Sequence, residues 1–263
     1  MLRPLILRTL ITNFGLTLLA LVNSILLSRW LGPVGRGEVA AAILWPTLLV
    51  YLSSVGLIVA TLYYAAFPES KPRTLFANGV WLALTQGAIA ILVGFVALPW
   101  LLRSQGGSVI AAGRAFLLII PIALITQYSG SILQGRMRIA SFNWLRLILP
   151  AGYVLGTCIL IVLGRLTLPN IILILLLLHA TGLAAALLAL WRAGVRLSLV
   201  VDVPLAKQML KYGAKVHVGS MAGLANSSLD QVLMAALLPS RYLGLYVAAV
   251  GAASVGQGFS QAV

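Results

Sequence analysis

Eight apolar runs, each 22 to 29 residues long, follow one another along this chain with little but short charged or Gly/Pro-bearing breaks between them. They are Leu5 to Leu31, Val39 to Phe67, Leu75 to Leu102, Val109 to Leu133, Phe142 to Leu163, Leu168 to Trp191, Val216 to Leu238 and Tyr242 to Val263. About 20 apolar residues cross the hydrocarbon of a bilayer, and a backbone in that medium must close its own hydrogen bonds, so each run is expected to be a helix. The expected fold class is an all-α polytopic membrane protein. A soluble domain carries about 25% charged residues, whereas this chain has 8%, with 61% apolar residues.

The net charge of +14 comes from 14 arginines and 4 lysines placed singly between the runs, against only four acids. A nucleic-acid surface would cluster them on one domain, so nucleic acid is not an expected partner. Isolated loop cations instead set membrane orientation. Arg3, Arg8, Lys71, Arg73, Arg136, Arg138, Arg146, Arg192, Arg196, Lys207, Lys211 and Lys215 fall on one side, 12 residues, against six on the other, Arg29, Arg36, Arg103, Arg114, Arg165 and Arg241. The excess puts the N-terminus in the cytoplasm. The first run follows Arg3 and Arg8 but is longer than a signal-peptide core, and no clear small-residue cleavage site follows, so it is read as a retained span.

One inter-run stretch is longer than the rest. Over 193–215, Asp202 can cap a helix with Pro204 in its first turn, and Lys207, Lys211 and Lys215 recur on one face. This is read as a cytoplasmic amphipathic helix at the lipid phosphates, or as a solvated linker helix. It divides the chain into 1–192, a six-helix bundle, 193–215, a connector, and 216–263, the first two helices of a second bundle.

Polar groups inside the spans either bond to a neighbouring helix or line a wet path. In the first span Asn13, Thr17, Ser24 and Ser28 share a face closed by Arg29; close packing and a cavity wall both account for it. Arg29, Arg36 and Arg114 lie on the same outer side and either snorkel to the interface or form a cationic lining for an anionic cargo. Gln127 begins a polar half of the fourth span, with Tyr128, Ser129, Ser131 and Gln134, and Pro46, Pro99, Pro121 and Pro150 offer kinks. His179 reads as a hydrogen-bonded packing residue or a proton relay. In the seventh span Gly219, Gly223, Asn226 and Asp230 follow helical spacing. A carboxylate there pairs with an arginine of a neighbouring helix, or forms a proton or sodium coupling site with Asn226.

No catalytic constellation appears. The acids stand apart at 38, 69, 202 and 230, the two histidines have no metal spacing, and no phosphate-cradling Gly-x-x-x-x-Gly-Lys is present. The single cysteine, Cys158, can form neither an internal disulfide nor a thiolate metal site. No cofactor, resident metal or enzymatic activity is expected.

Several stretches together resemble the bacterial oligosaccharide and polysaccharide flippases of the multidrug/oligosaccharidyl-lipid/polysaccharide exporter superfamily. They are Leu-Ser-Arg29-Trp-Leu-Gly-Pro33-Val-Gly-Arg-Gly37, Leu-Gln134-Gly-Arg-Met-Arg138 followed by Asn143, Lys-Tyr-Gly213, and Leu-Asp230-Gln ahead of Leu-Leu-Pro239-Ser-Arg-Tyr-Leu-Gly244-Leu-Tyr246. An internal echo accompanies them: Leu31-Gly-Pro33 leading to Gly37-Glu-Val-Ala-Ala41 parallels Leu238-Pro239 leading to Gly244-Leu-Tyr-Val-Ala-Ala249, with a one-residue gap.

The resemblance implies two facing bundles in the bacterial cytoplasmic membrane and transport of an isoprenoid-diphosphate-linked oligosaccharide for surface polysaccharide such as O-antigen. The substrate cavity is then expected to involve Asn13, Thr17, Ser24, Arg29, Arg36, Arg114 and Gln127, and ion coupling Asn226 and Asp230. Membrane lipids, a polysaccharide polymerase and other assembly proteins are the implied partners. Family members carry roughly twelve to fourteen helices, so the second bundle is expected to be about one third present. A multidrug or cation antiporter of the same superfamily, an inactive fragment, and a membrane glycosyltransferase or polymerase are the competing expectations.

Overall fold

The computed structural model describes residues 2–195, 198 and 200–260, apart from the side chains at 2–7, 222, 224, 225, 227 and 254–260. Arg196 of the charge count, residues 261–263 of the last expected span and the side chain of Arg3 lie outside what is described. Among the described residues every regular element is a helix: α1 (Leu2–Ser53), α2 (Leu57–Ala65), α3 (Pro72–Leu101), α4 (Gly107–Phe116), α5 (Ile119–Gly135), α6 (Ile139–Val162), α7 (Leu168–Arg192), α8 (Val203–Leu237) and α9 (Ser240–Ser260). The protein is a multi-pass membrane protein. Five segments, Arg8–Ser53, Pro72–Leu101, Gly107–Gly135, Ile139–Val162 and Leu168–Arg192, are long and apolar enough to cross a bilayer. Large apolar side chains such as Leu92, Val96, Trp100 and Val162 point outward, where lipid would cover them.

The loop expected over 31–38 is reduced to one residue. Gly32 alone leaves helical geometry, at φ 66°, ψ −178°, a combination essentially reserved to glycine. The first two expected spans are therefore the two arms of α1, 2–31 and 33–53, and α2 completes the second after a break at Val55 and Gly56, both left-handed. The expected separation of connector and seventh span is likewise absent: α8 runs unbroken from Val203 to Leu237. Asp202 starts it as its sequence suggests, its Oδ1 accepting from the Leu205 amide at 3.0 Å. Nothing at 213–216 stops it, because Gly213 keeps helical geometry and no proline follows.

Small residues set the packing of the first bundle. Gly79, Ala83, Gly87, Ala90 and Gly94 form one buried stripe on α3. A Cβ on Gly79 would meet Tyr128 at 3.4 Å, one on Gly87 would meet Pro121 at 3.0 Å, and one on Gly94 would meet Leu117 at 2.7 Å. As residue numbers rise along α3 those of its partners fall, so α3 and α5 are antiparallel. Such stripes let membrane helices gain dispersion contacts where water supplies no driving force.

Two polar pairs fix α1 to α6. Asn143 donates from Nδ2 to Thr9 Oγ1 at 3.3 Å, and Thr157 donates to Asn23 Oδ1 at 3.0 Å. Both pairs have the same sequence offset, 134 residues. A constant offset means that the two helices advance together, so the first arm of α1 and α6 run parallel over the roughly 21 Å that 14 helical residues span.

Candidate functional site

The polar interior of the first bundle lies where both arms of α1 meet α6. Asn23 and Ser24 are buried on the first arm, at 8% exposure each, in a helix that is otherwise apolar there. Opposite, α6 presents Thr157, which bonds Asn23, and one turn earlier Tyr153, whose hydroxyl lies near Asn23 but is buried without a hydrogen bond. The second arm brings Arg36 beside Tyr153. Its Nε is buried with no hydrogen-bond partner, and no carboxylate pairs with it among the described residues. Ser28 Oγ is a further buried, unpartnered atom on the first arm.

Buried polar atoms in native folds nearly always find partners. Here a guanidinium, a phenol and a serine hydroxyl are all under-used, and Asn23 and Thr157 hold the helices that carry them. A cation of fixed charge with free donors suits an anion, because guanidinium nitrogens match phosphate oxygens in pairs.

The other expected cavity residues disperse. Asn13 is exposed, and Thr17 bonds back to the Asn13 carbonyl at 3.2 Å. Ser24 packs on α9, where it occupies the space a Cβ of Gly251 would need. Arg29 and Gln127 are exposed. Arg114 donates from Nε and Nη2 to the Phe95 carbonyl at 3.2 and 3.0 Å and lies 4.2 Å over the Phe95 ring; these bonds commit it to α3. Arg36 is thus the one of the three expected arginines that the fold turns toward the α1–α6 interior.

On α8, Asn226 and Asp230 are both exposed. Asp230 Oδ2 accepts from Tyr246 of α9 at 2.9 Å, so its partner is a phenol rather than the arginine considered from sequence.

The α8–α9 pair is held to the first bundle at both ends. At the end carrying the α3–α4 connection, Gln105 donates from Nε2 to the carbonyls of Ala235 and Leu238, both at 2.9 Å, and Ser104 donates to Ala235 at 2.9 Å. At the connector end, Asn78 exchanges two bonds with the Asp202 backbone, at 3.0 and 2.9 Å, and Tyr63 stacks on Tyr212 with centroids 4.5 Å apart. Between these clasps α8 exposes Val218, Met221, Leu229 and Leu233.

Sequence reasoning does not single out Asn23, Tyr153, Gln105 or Asn78. For Asn23 a signal exists, since an amide in an apolar membrane helix is a marked residue in itself. For Gln105 and Asn78 there is none, because their partners are backbone groups more than 120 residues away.

A family model described as polysaccharide biosynthesis protein matches residues 6–262. The structure resembles the MATE multidrug transporter DinF-BH, with a TM-score of 0.68 and 14% identity over 96% of this chain and 60% of that one. It resembles the lipid II flippase MurJ in an inward closed conformation, with a TM-score of 0.64 and 15% identity over 92% of this chain and 54% of that one. A MOP superfamily transporter from Pyrococcus furiosus gives a TM-score of 0.63 and 15% identity over 97% of this chain and 64% of that one. The chain spans less than two thirds of the length of each, and the likeness is one of fold. No curated protein matches the sequence.

Proposed function

The chain belongs to the polysaccharide biosynthesis protein family, and from that premise we propose that it acts in moving an isoprenoid-diphosphate-linked oligosaccharide from the cytoplasmic to the periplasmic leaflet. Arg36 carries this reading. Its guanidinium lies beside Tyr153 with a buried Nε left unbonded, and an unpaired cation in a membrane bundle is costly unless something anionic visits it. A diphosphate complements that charge, whereas a cationic drug would meet repulsion. In this reading the connector end is cytoplasmic, as the twofold excess of Lys and Arg there requires.

Asp230 supplies the second element. With Oδ2 held by Tyr246, Oδ1 and the nearby Asn226 amide oxygen remain for a proton or a sodium ion. Together the two features support the reading of an ion-coupled transporter of an anionic lipid.

The test is export of surface polysaccharide in cells whose own gene carries Arg36→Gln. Loss of polymer with build-up of lipid-linked oligosaccharide on the cytoplasmic leaflet, and partial return with Arg36→Lys, are expected. Undiminished polymer in Arg36→Gln cells would remove the ground for the proposal.

A further inference from the structure

A cluster of three arginines lies away from the α1–α6 interior, in a cavity of about 480 Å³ at the connector end. Arg73 from the start of α3 and Arg136 and Arg138 from the α5–α6 turn line it, with Ala66, Ile132 and Leu133 among the apolar wall residues. No acid lines this cavity among the described residues. All three arginines are exposed, and their guanidinium groups make no hydrogen bond or ion pair among the described residues.

The turn between Arg136 and Arg138 is built against its own preference. Three helices here end in the same way, with a left-handed residue whose successor's N–H reaches back five residues. Arg165 bonds Leu160 after Gly164, Val195 bonds Leu190 after Gly194, and Arg138 bonds Leu133 after Met137, each at 2.8 to 3.0 Å. The first two have glycine in the left-handed place, as that motif prefers. The third has Met137 at φ 58°, where a side chain is strained. Met137 is 64% exposed and belongs to the cavity wall. A flexible thioether kept at a strained position beside two arginines gives the cavity an apolar lip next to a cationic one.

We propose that this cavity binds the phosphate headgroup of an anionic phospholipid from the adjacent leaflet. The arginines hold the phosphate, and Met137, Ile132 and Leu133 meet the glycerol and the first methylenes of the acyl chains. Lipid-borne and free phosphate share the charge recognition, and the apolar lip selects the lipid. Each basic residue facing an anionic headgroup is worth about fivefold in affinity, so three give about a hundredfold.

The test is retention of lipid by the purified chain, counted by native mass spectrometry after detergent exchange from phosphatidylglycerol or phosphatidylcholine. Wild type keeps phosphatidylglycerol and releases phosphatidylcholine. The combined Arg73→Gln, Arg136→Gln, Arg138→Gln variant loses retention about a hundredfold, whereas Arg103→Gln, Arg165→Gln, Arg241→Gln together, three exposed arginines at the other end of the bundle, leave it in place. Met137→Gly raises the melting temperature, by relieving the left-handed side chain, and weakens retention; it tests the cavity even if the triple variant fails to fold. Unchanged retention in the cavity-arginine variant or in Met137→Gly, or equal loss in the Arg103, Arg165 and Arg241 variant, overturns the cavity. Binding of inorganic phosphate as tight as that of the lipid overturns the lipid assignment.

Discussion

Gly37 of α1 and Gly244 of α9 meet backbone to backbone, a Cβ on Gly37 falling 3.0 Å from the Gly244 nitrogen and one on Gly244 falling 2.9 Å from the Gly37 nitrogen. The same virtual Cβ atoms would collide with the carbonyls of Ser240 and Pro33 respectively. The pairs 37 with 240 and 33 with 244 exchange places under a shift of 207 residues, which also carries Gly37 onto Gly244. That is the reciprocity of a two-fold contact, made here within one chain by the two segments whose sequences echo each other.

Leucine at Gly244 is therefore expected to force α1 and α9 apart, toward the about 8–10 Å of helices separated by ordinary side chains. In a Cys158→Ser background, spin labels at Arg103→Cys and Arg241→Cys report it. The label distance lengthens in Gly244→Leu, and a distance equal to that of the parent would contradict the close crossing.

Gly32 makes a second, purely conformational case. A Cβ there meets nothing within 4 Å, so Gly32→Ala adds no clash and costs only backbone strain, about 1–3 kcal/mol. Asparagine, which tolerates ordinary left-handed geometry, offers no relief at ψ −178°. Thermal unfolding in detergent should show both variants lowered by similar amounts.

The Asn23 and Thr157 pair is open to a double-mutant cycle. Thr157→Val and Asn23→Leu are each expected to destabilise, with a coupling of about 0.6–1.7 kcal/mol, the range of hydrogen bonds between membrane helices. Zero coupling would mean that the bond does not hold α1 to α6.

For Asp230 the expected outcome is loss of ion-dependent transport in Asp230→Asn with normal membrane accumulation, read in loaded vesicles under an imposed proton or sodium gradient. Tyr246→Phe should retain coupling with an altered ion dependence, since it removes only the donor to Oδ2. If both variants instead fail to accumulate, the pair is structural.

The helices are legible in the sequence because a membrane leaves the backbone one economical solution, and the apolar runs mark where it applies. The Asp202 cap can be read for the same local reason: its side chain bonds three residues on. Two boundaries cannot. Gly-Pro at 32–33 has the composition of a loop, yet proline suits the first turn of a helix and only Gly32 has to leave helical geometry. Gly213, Gly219 and Gly223 suggest an opened face and a division, yet helical glycine costs about 1 kcal/mol and ends nothing by itself. The interior is harder still. Nothing local distinguishes Arg36 from Arg114; what separates them is that Phe95, 19 residues before Arg114, offers a carbonyl and a ring, while Arg36 finds Tyr153 and no acceptor.

The unbroken course of α8 makes the expected connector and the expected seventh span one rod, about 52 Å long for its 35 residues. Lys207 and Lys211 precede Gly213, which is pressed against the backbone of Val55 and Gly56, and Lys215, Asn226 and Asp230 follow it. Asn78 holds the start of the rod through the Asp202 backbone, and Gln105 holds its end through the carbonyls of Ala235 and Leu238. A rod pinned at both ends moves as one body with what it is pinned to, so Asp230 keeps a fixed height against the first bundle.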